Sequence, residues 1–230
     1  MVTGRRISAI ITAMNKSHEK SASRAGSLPL IGGVLALDFC NTASGRGTDT
    51  HLEHLNTAGD LLTWARHAGV LDEAREAELR RLCSDDPAFS ARMLAGALRL
   101  RDAIFRLDTA LARKEPAEQA DIDVVAQTYS ACLAKGTLGT LEGGFGWAWS
   151  VDRAPEEVVI GPIAASAMAV LSAADRGRLK QCSGHHCGWL FLDTTKSNTR
   201  RWCEMEVCGN RAKQKRHRAR PALTLPKVHI

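Results

Sequence analysis

Residues 182–210 read CSGHHCGWLFLDTTKSNTRRWCEMEVCGN, and the four cysteines in this segment form two pairs with the same spacing. Four residues separate Cys182 from Cys187 and Cys203 from Cys208, and a glycine follows the second cysteine of each pair. Thiolates at two short spacings can supply all four ligands of a tetrahedral zinc site. The pattern therefore predicts a small metal-stabilised module near the C-terminal end of the chain.

The predicted metal is one structural Zn²⁺, because four protein ligands leave no open position for water. Four thiolates also suit iron, and His185 or His186 could replace Cys182 or Cys187 as a ligand. The odd total of seven cysteines argues against a framework of disulfides.

Positive charge is concentrated in the same region. The 230-residue chain has a formal net charge of +6, and residues 182–220 hold nine Lys and Arg against three Asp and Glu. Residues 1–181 are nearly neutral, with 21 cations against 22 acids. A neutral body with a basic end is typical of a protein whose end binds a polyanion.

A basic helix is predicted from Glu204 onward, since no proline occurs before Pro221. Its partner is expected to be double-stranded DNA. We expect base contacts from Asn210, Arg211 and Lys215, because Asn and Arg side chains can bind base edges bidentately. The expected phosphate contacts are Arg200, Arg201, Lys213, Arg216 and Arg218.

The rest of the chain predicts a helix-rich body with a few short strands, and hence an α+β fold. Apolar periodicity predicts helices over residues 52–68, 72–82, about 90–113 and from Pro116 to Leu133, and a last helix that starts at Pro155 or Pro162 and ends near 174. Residues 28–42, LPLIGGVLALDFCNT, predict a strand pair or strand-turn, and residues 138–151 a glycine-broken strand pair with Trp147 and Trp149 on one face.

These patterns divide the chain into a disordered tail at 1–27, a regulatory domain at 28–179, a zinc finger at 180–220 and a second tail at 221–230. No apolar run has the length of a membrane span, and residues 1–27 lack the apolar core of a signal peptide. We therefore expect a cytoplasmic protein without a membrane partner.

A small-molecule pocket is a weaker prediction for the body. Asp38, Asn41 and Thr42 follow a predicted strand and could line it, or they could only close their own turn. Cys40 could serve as a nucleophile, but no partner base can be named, and buried cysteine is ordinary.

Two stretches resemble a known pair of families. RRWCEMEVCGNRAK (200–213), preceded by CGWLFLDTTK (187–196), resembles the CGNR zinc-finger family. LALDFCNT (35–42) and AGVL (68–71) resemble its usual N-terminal partner, the ABATE domain of stress-induced bacterial transcription regulators. The resemblance implies a zinc-dependent DNA-binding module with ligands at Cys182, Cys187, Cys203 and Cys208. A departure at Thr194-Thr195-Lys196 puts in doubt a phosphate contact from that turn.

The expected function is therefore a DNA-binding transcription regulator rather than an enzyme. Its N-terminal domain would sense a small-molecule effector or form a homodimer. Two other classes stay open: an enzyme whose zinc module is only structural, and a zinc-stabilised module that binds an acidic protein partner.

Overall fold

The computed structural model describes residues 24–141, 143–173 and 175–218 of the chain. The helices in these ranges are α1 (Leu35–Cys40), α2 (Ala58–His67), α3 (Glu73–Asp85), α4 (Pro87–Arg113), α5 (Gln119–Lys135), α6 (Glu157–Ser172) and α7 (Asn210–Arg218). The strands form three antiparallel pairs: β1 (Ala43–Ser44) with β2 (Leu52–Glu53), β3 (Thr137–Leu141) with β4 (Gly144–Ala148), and β5 (Leu179–Gln181) with β6 (Leu190–Leu192). The predicted α+β class, a helical N-terminal region with a small four-cysteine module after it, is confirmed.

The predicted tail at 221–230 lies outside the described residues, and of the predicted tail at 1–27 only residues 24–27 are described. Ala25–Ser27 form a short 3-10 turn, and the side chain of Ala25 is fully buried. None of the helices in the described ranges combines the length and the apolar composition that a membrane span requires.

Helix α4 is the centre of the body and packs against α1, α2, α3, α5, α6 and β5. It begins slightly before the predicted start, because the Asp86 carboxylate accepts hydrogen bonds from the N–H groups of Ala88 and Phe89 and Pro87 occupies the first helical position. The predicted apolar stripe includes the fully buried Ala97 and Ile104. Burial of this stripe fixes the orientation of the helix in the core.

The prediction of a strand pair at residues 28–42 is wrong. The apolar part of this stretch forms helix α1, in which Ala36, Leu37, Phe39 and Cys40 are all fully buried. This helix packs against α4 and α6 on one side and β6 on another. A run of only six residues, four of them buried, is too short for its periodicity to distinguish helix from strand.

The predicted helix at 52–68 begins later than expected. Its first residues form β2, and α2 starts only after Thr57, whose side chain and that of Asp60 make a reciprocal capping box. Pro116 precedes α5, which begins at Gln119. Helix α6 begins at Glu157, so the predicted start at Pro162 is wrong because this proline lies inside the helix. Pro155 lies two residues before Glu157, and the Val158 N–H already donates to the carbonyl oxygen of Ala154, so the predicted start at Pro155 is close.

The strand pair predicted at 138–151 is confirmed as the β3–β4 hairpin. Trp149 is buried, and its Nε1 donates a hydrogen bond of 2.7 Å to the carbonyl oxygen of Cys132. Trp147 remains 39% exposed. Trp149 therefore anchors the end of the hairpin to α5.

A buried ion pair holds the β1–β2 hairpin against α4. The Arg101 guanidinium is 3% exposed and donates hydrogen bonds of 2.7 Å to both carboxylate oxygens of Glu53. It also donates to Thr42 Oγ1 at 3.2 Å. A bidentate arginine–carboxylate pair fixes direction as well as distance, so the hairpin has a defined position on the body.

The four-cysteine module is packed into the body. Leu179 and Leu190 of its strands belong to the same apolar core as the helices. The Asn41 side chain at the end of α1 hydrogen-bonds both the N–H and the C=O of Leu190, each at 2.9 Å. The predicted division at residues 179 and 180 stays a prediction, and the chain on its two sides shares one core.

A buried acid on α4 makes the stability of the fold depend on pH. Asp108 is fully buried, and neither carboxylate oxygen has a hydrogen-bond partner. Burial raises the pKa of this carboxyl from 3.8 to about 7. A raised pKa favours the folded protein at low pH, and this contribution is lost as the pH rises toward 7.

We therefore expect Asp108→Asn to gain stability relative to the parent as the pH rises. The difference in unfolding free energy between the two proteins should change by about 2 to 3 kcal/mol between pH 5 and 8, measured by denaturant titration. Asp123→Asn on the exposed face of α5 is the matched control. An equal pH dependence of parent and Asp108→Asn would contradict this assignment.

Candidate metal centre and nucleic-acid interface

The four clustered cysteines meet at one point of the module. Cys182 follows β5, Cys187 precedes β6, and Cys203 and Cys208 come from the segment before α7. All four sulfur atoms lie within 4.8 Å of one another, with Cys203 Sγ at 3.6 Å from Cys187 Sγ and 3.7 Å from Cys208 Sγ. A tetrahedron with metal–sulfur bonds of 2.3 Å has edges of about 3.8 Å. The donor set therefore fits one four-coordinate metal ion.

The backbone favours a thiolate, the ligand form of cysteine, at one member of the cluster, Cys182. The N–H groups of Gly184 and Cys203 each donate to Cys182 Sγ at 3.3 Å. Hydrogen bonds from the thiols of Cys187 and Cys203 lower the pKa of Cys182 well below that of a free thiol.

The two histidines of the module stand outside this cluster. His185 and His186 are exposed and contact each other edge to face, with ring centroids 3.6 Å apart. His186 also lies 3.8 Å from Asp49. In the described part of the chain, the metal-compatible group here consists of the four cysteines. The geometry thus favours four sulfur ligands over a set in which a histidine replaces a cysteine.

The local structure differs at the two glycines that follow the cysteine pairs. Gly188 has a φ of +71°, a conformation that side chains rarely adopt, so it serves the sharp turn that the spacing suggested. Gly209 closes the π-helical turn Met205–Gly209, where a Cβ atom would collide with the Met205 thioether. Because this thioether is the flexible end of an exposed side chain and can move, neither packing nor a left-handed turn requires the second glycine.

Arg200 packs against the loop that contains Cys203. Its guanidinium donates hydrogen bonds to the carbonyl oxygens of Trp202 and Cys203 and stacks on the Phe191 ring, 4.4 Å from the centroid. Its backbone N–H binds the buried Asp193 carboxylate, which also accepts from Thr195. These contacts favour a structural role for Arg200, whereas its contact with phosphate stays a prediction.

The other predicted DNA contacts are displayed on the surface. Helix α7 follows the π-helical turn directly, and it has no buried residue. The exposed side chains of this set are Asn210, Arg211, Lys213, Lys215, Arg216 and Arg218, together with Arg201 before Cys203. Arg201 lies over the Trp202 ring, 5.5 Å from the centroid. The metal centre thus fixes the first turn of an exposed cationic helix.

The residues predicted to line a ligand pocket make internal contacts. The Asp38 carboxylate accepts a hydrogen bond of 2.7 Å from the Gly32 N–H, and burial raises its pKa to about 6. Asn41 joins α1 to Leu190, and Thr42 Oγ1 donates to the carbonyl oxygen of Phe39 at 2.7 Å. A ligand contact by these three residues stays a prediction.

Cys40 is fully buried, and its thiol donates to the carbonyl oxygen of Arg101 at 3.6 Å. Burial raises the pKa of this thiol far above its usual value. Because a nucleophilic cysteine must reach the thiolate form, this environment does not support the catalytic alternative.

The structure also shows a cleft that the sequence did not suggest. A cavity of about 680 Å³ lies between the β1–β2 hairpin and the four-cysteine module, and we call it the hairpin cleft. Ser44, Thr50 and Leu52 line it from the hairpin, and Arg211, Lys215 and Arg216 line it from α7. These two groups are far apart in sequence, so no local motif could have brought them together.

Comparison with known families gives two matches. Residues 33–174 match the family model ABATE, described as "Putative stress-induced transcription regulator". Residues 178–221 match the model of the CGNR zinc finger. No curated protein matches the chain.

Proposed function

Because the chain belongs to the ABATE family and carries a CGNR zinc finger, we propose that it is a zinc-dependent transcription regulator that binds double-stranded DNA through its C-terminal module. The observation that carries the proposal is the position of the exposed cationic helix α7 directly after a four-sulfur metal centre. We place this function in the bacterial cytoplasm. The family description, a stress-induced transcription regulator, suggests that the protein acts in a stress response. The expected effector and homodimer remain predictions.

Zinc supports this function as a structural ion. Four thiolates fill its coordination shell and cross-link the β5–β6 hairpin to the segment that leads into α7. Cys203, Cys208 and the buried Phe191 form a small cluster with Cys182 in which little apolar area is available. A module of this size depends on its metal for stability.

Helix α7 has the dimensions of a recognition element. An α-helix with its side chains is about 10 to 12 Å across, which fits a major groove about 12 Å wide. The nine described residues of α7 form more than two turns of such a helix. Asn210 and Arg211 occupy its first turn, where the metal centre restrains the backbone, and we assign them to base edges with Lys215. We assign Arg201, Lys213, Arg216 and Arg218 to phosphates, since Arg200 is held by backbone carbonyls.

The double variant Arg211→Ala/Lys215→Ala tests this assignment without touching a metal ligand. We expect DNA affinity to fall by at least about 30-fold, since a specific base contact contributes about 1 to 3 kcal/mol and each lost cation also weakens phosphate attraction. Fluorescence anisotropy with a labelled duplex measures the affinity. The zinc content and the thermal unfolding temperature should not change.

A matched control removes two cations far from the module. Arg75→Ala/Arg81→Ala on α3 changes the net charge equally, and both side chains are more than half exposed. This control should bind DNA within about twofold of the parent. Equal affinities of the two double variants would show that α7 is not the contact helix.

The salt dependence of DNA binding by the parent protein gives the number of phosphate contacts. With about four such contacts, a plot of log K against log [salt] should have a slope near −4.

A further inference from the structure

The hairpin cleft has a strongly cationic lining. Arg201, Arg211, Lys215 and Arg216 reach it from the zinc module and α7. Among the described residues that line it there is no Asp or Glu, although Asp49 approaches the lining residue His186 at 3.8 Å. A concave site lined by one sign of charge concentrates the field of its groups and attracts the opposite charge. The electrostatics of the cleft therefore favour an anion.

The cleft also has an apolar and aromatic wall. Trp202 and Leu52 line it from opposite sides, and Leu52 is 49% exposed despite its apolar side chain. Arg201 lies over one face of the Trp202 indole, 5.5 Å from the centroid, and a planar ring would stack on the other face. A volume of about 680 Å³ is in the range of small-molecule sites and far exceeds the size of an inorganic phosphate.

Hydroxyl groups complete the polar part of the lining. Ser44 and Thr50 lie on the hairpin, and Ser183 lies directly after the first metal ligand. Hydroxyls and guanidinium groups together bind phosphate oxygens, and arginine does so bidentately. Because Arg101 and Glu53 fix the hairpin on α4, this wall is held in position before a ligand arrives.

We propose that the hairpin cleft binds a small organic phosphate, a molecule with a planar ring and two or more phosphate groups. Its ring would stack on Trp202, and its phosphates would contact Arg211, Lys215 and Arg216. Since Arg211 and Lys215 are also assigned to DNA, the bound ligand competes with DNA. The competition rests on the proposed function, whereas ligand binding itself does not.

Isothermal calorimetry of the zinc-loaded full chain with ATP tests ligand binding at about 150 mM salt, with adenosine and tripolyphosphate as comparison probes. We expect a 1:1 complex with ATP, binding at least about tenfold weaker for tripolyphosphate, and no binding of adenosine below about 1 mM. Absence of ATP binding, or equal binding of tripolyphosphate, would overturn the proposal.

A pair of variants on the hairpin separates ligand from DNA. Thr50→Glu places a carboxylate in the cleft without changing α7, and Thr50→Gln is its uncharged control. Relative to Thr50→Gln, the Glu variant should bind ATP about tenfold more weakly. Its loss of DNA affinity should be smaller, because Lys213 and Arg218 do not line the cleft. ATP affinity within about twofold of that of Thr50→Gln would overturn the ligand site.

Competition provides the remaining readout. ATP at about 1 mM should raise the apparent dissociation constant for DNA at least about threefold, compared with a solution of equal ionic strength. Lys213→Ala, which does not line the cleft, should weaken DNA binding and leave ATP binding unchanged. If ATP binds but DNA does not, the proposed function fails and the ligand site stands. If DNA binds and ATP does not, only the ligand site fails.

Discussion

Replacing Cys203 with serine should abolish specific DNA binding and lower the stability of the whole protein. Cys203 Sγ lies within 3.7 Å of two other cysteine sulfurs, so its loss removes a vertex of the tetrahedron. A structural zinc ion contributes on the order of 10 kcal/mol to the folding of a small module. We expect at least about a 100-fold loss in DNA affinity by anisotropy and a loss of bound zinc.

The effect should extend beyond the module because the core is shared. Leu179 and Leu190 pack among the helices of the body, so unfolding of the β5–β6 hairpin exposes part of that core. The helical signal in circular dichroism should persist but melt at a lower temperature. Cys83→Ser on α3 is the matched control, since this half-buried thiol is outside the cluster. Full zinc content and DNA affinity in Cys203→Ser would contradict the metal assignment.

Replacing Asn41 with alanine should give a large loss of stability at a position outside the metal centre. Asn41 is 1% exposed and makes two hydrogen bonds to the backbone of Leu190. Without it, a buried N–H and a buried C=O lose their partners, and each costs about 1 to 3 kcal/mol. We expect a decrease of about 2 to 5 kcal/mol in the free energy of unfolding, measured by denaturant titration.

Asn56→Ala is the control for this variant. Asn56 is exposed, and its side-chain amide makes one hydrogen bond, with the carbonyl oxygen of Glu53. Its replacement should cost about 1 kcal/mol or less. A similar small cost for Asn41→Ala would show that the module is not anchored to the body through Leu190.

Anchoring of the module changes how regulation could act. The sequence suggested a basic tail on a neutral body, but the Gly45 N–H binds the carbonyl oxygen of Cys187 at 3.1 Å and the Leu192 N–H binds that of Gly32 at 2.9 Å. The body therefore contacts both the loop that contains Cys187 and strand β6. A ligand bound between the β1–β2 hairpin and the module would therefore lie beside the helix that we propose binds DNA.

Sequence reasoning succeeded where the signal was local. The repeated cysteine spacing predicted the cluster, and helical periodicity predicted α4. The basic run after Glu204 predicted a helix, and α7 is found there. Each of these features depends on residues close together in the chain, so its physical cause is visible in the sequence.

The failures all involve contacts between distant residues. Helix α1 looked like a strand because its apolar run is short, and its packing against α4, α6 and β6 is not visible in the sequence. The hairpin cleft requires Thr50 to face Lys215, and the sequence gives no sign of this pairing.

The most direct test of the central claim is selection of genomic DNA fragments by the purified zinc-loaded protein at about 150 mM salt, which suppresses non-specific phosphate binding. We predict recovery of one sequence motif that is lost after zinc removal and after the Arg211→Ala/Lys215→Ala substitution, which leaves the metal centre intact. Recovery of unsorted DNA, or of the same motif by the double variant, would contradict a sequence-specific regulator that reads DNA through α7.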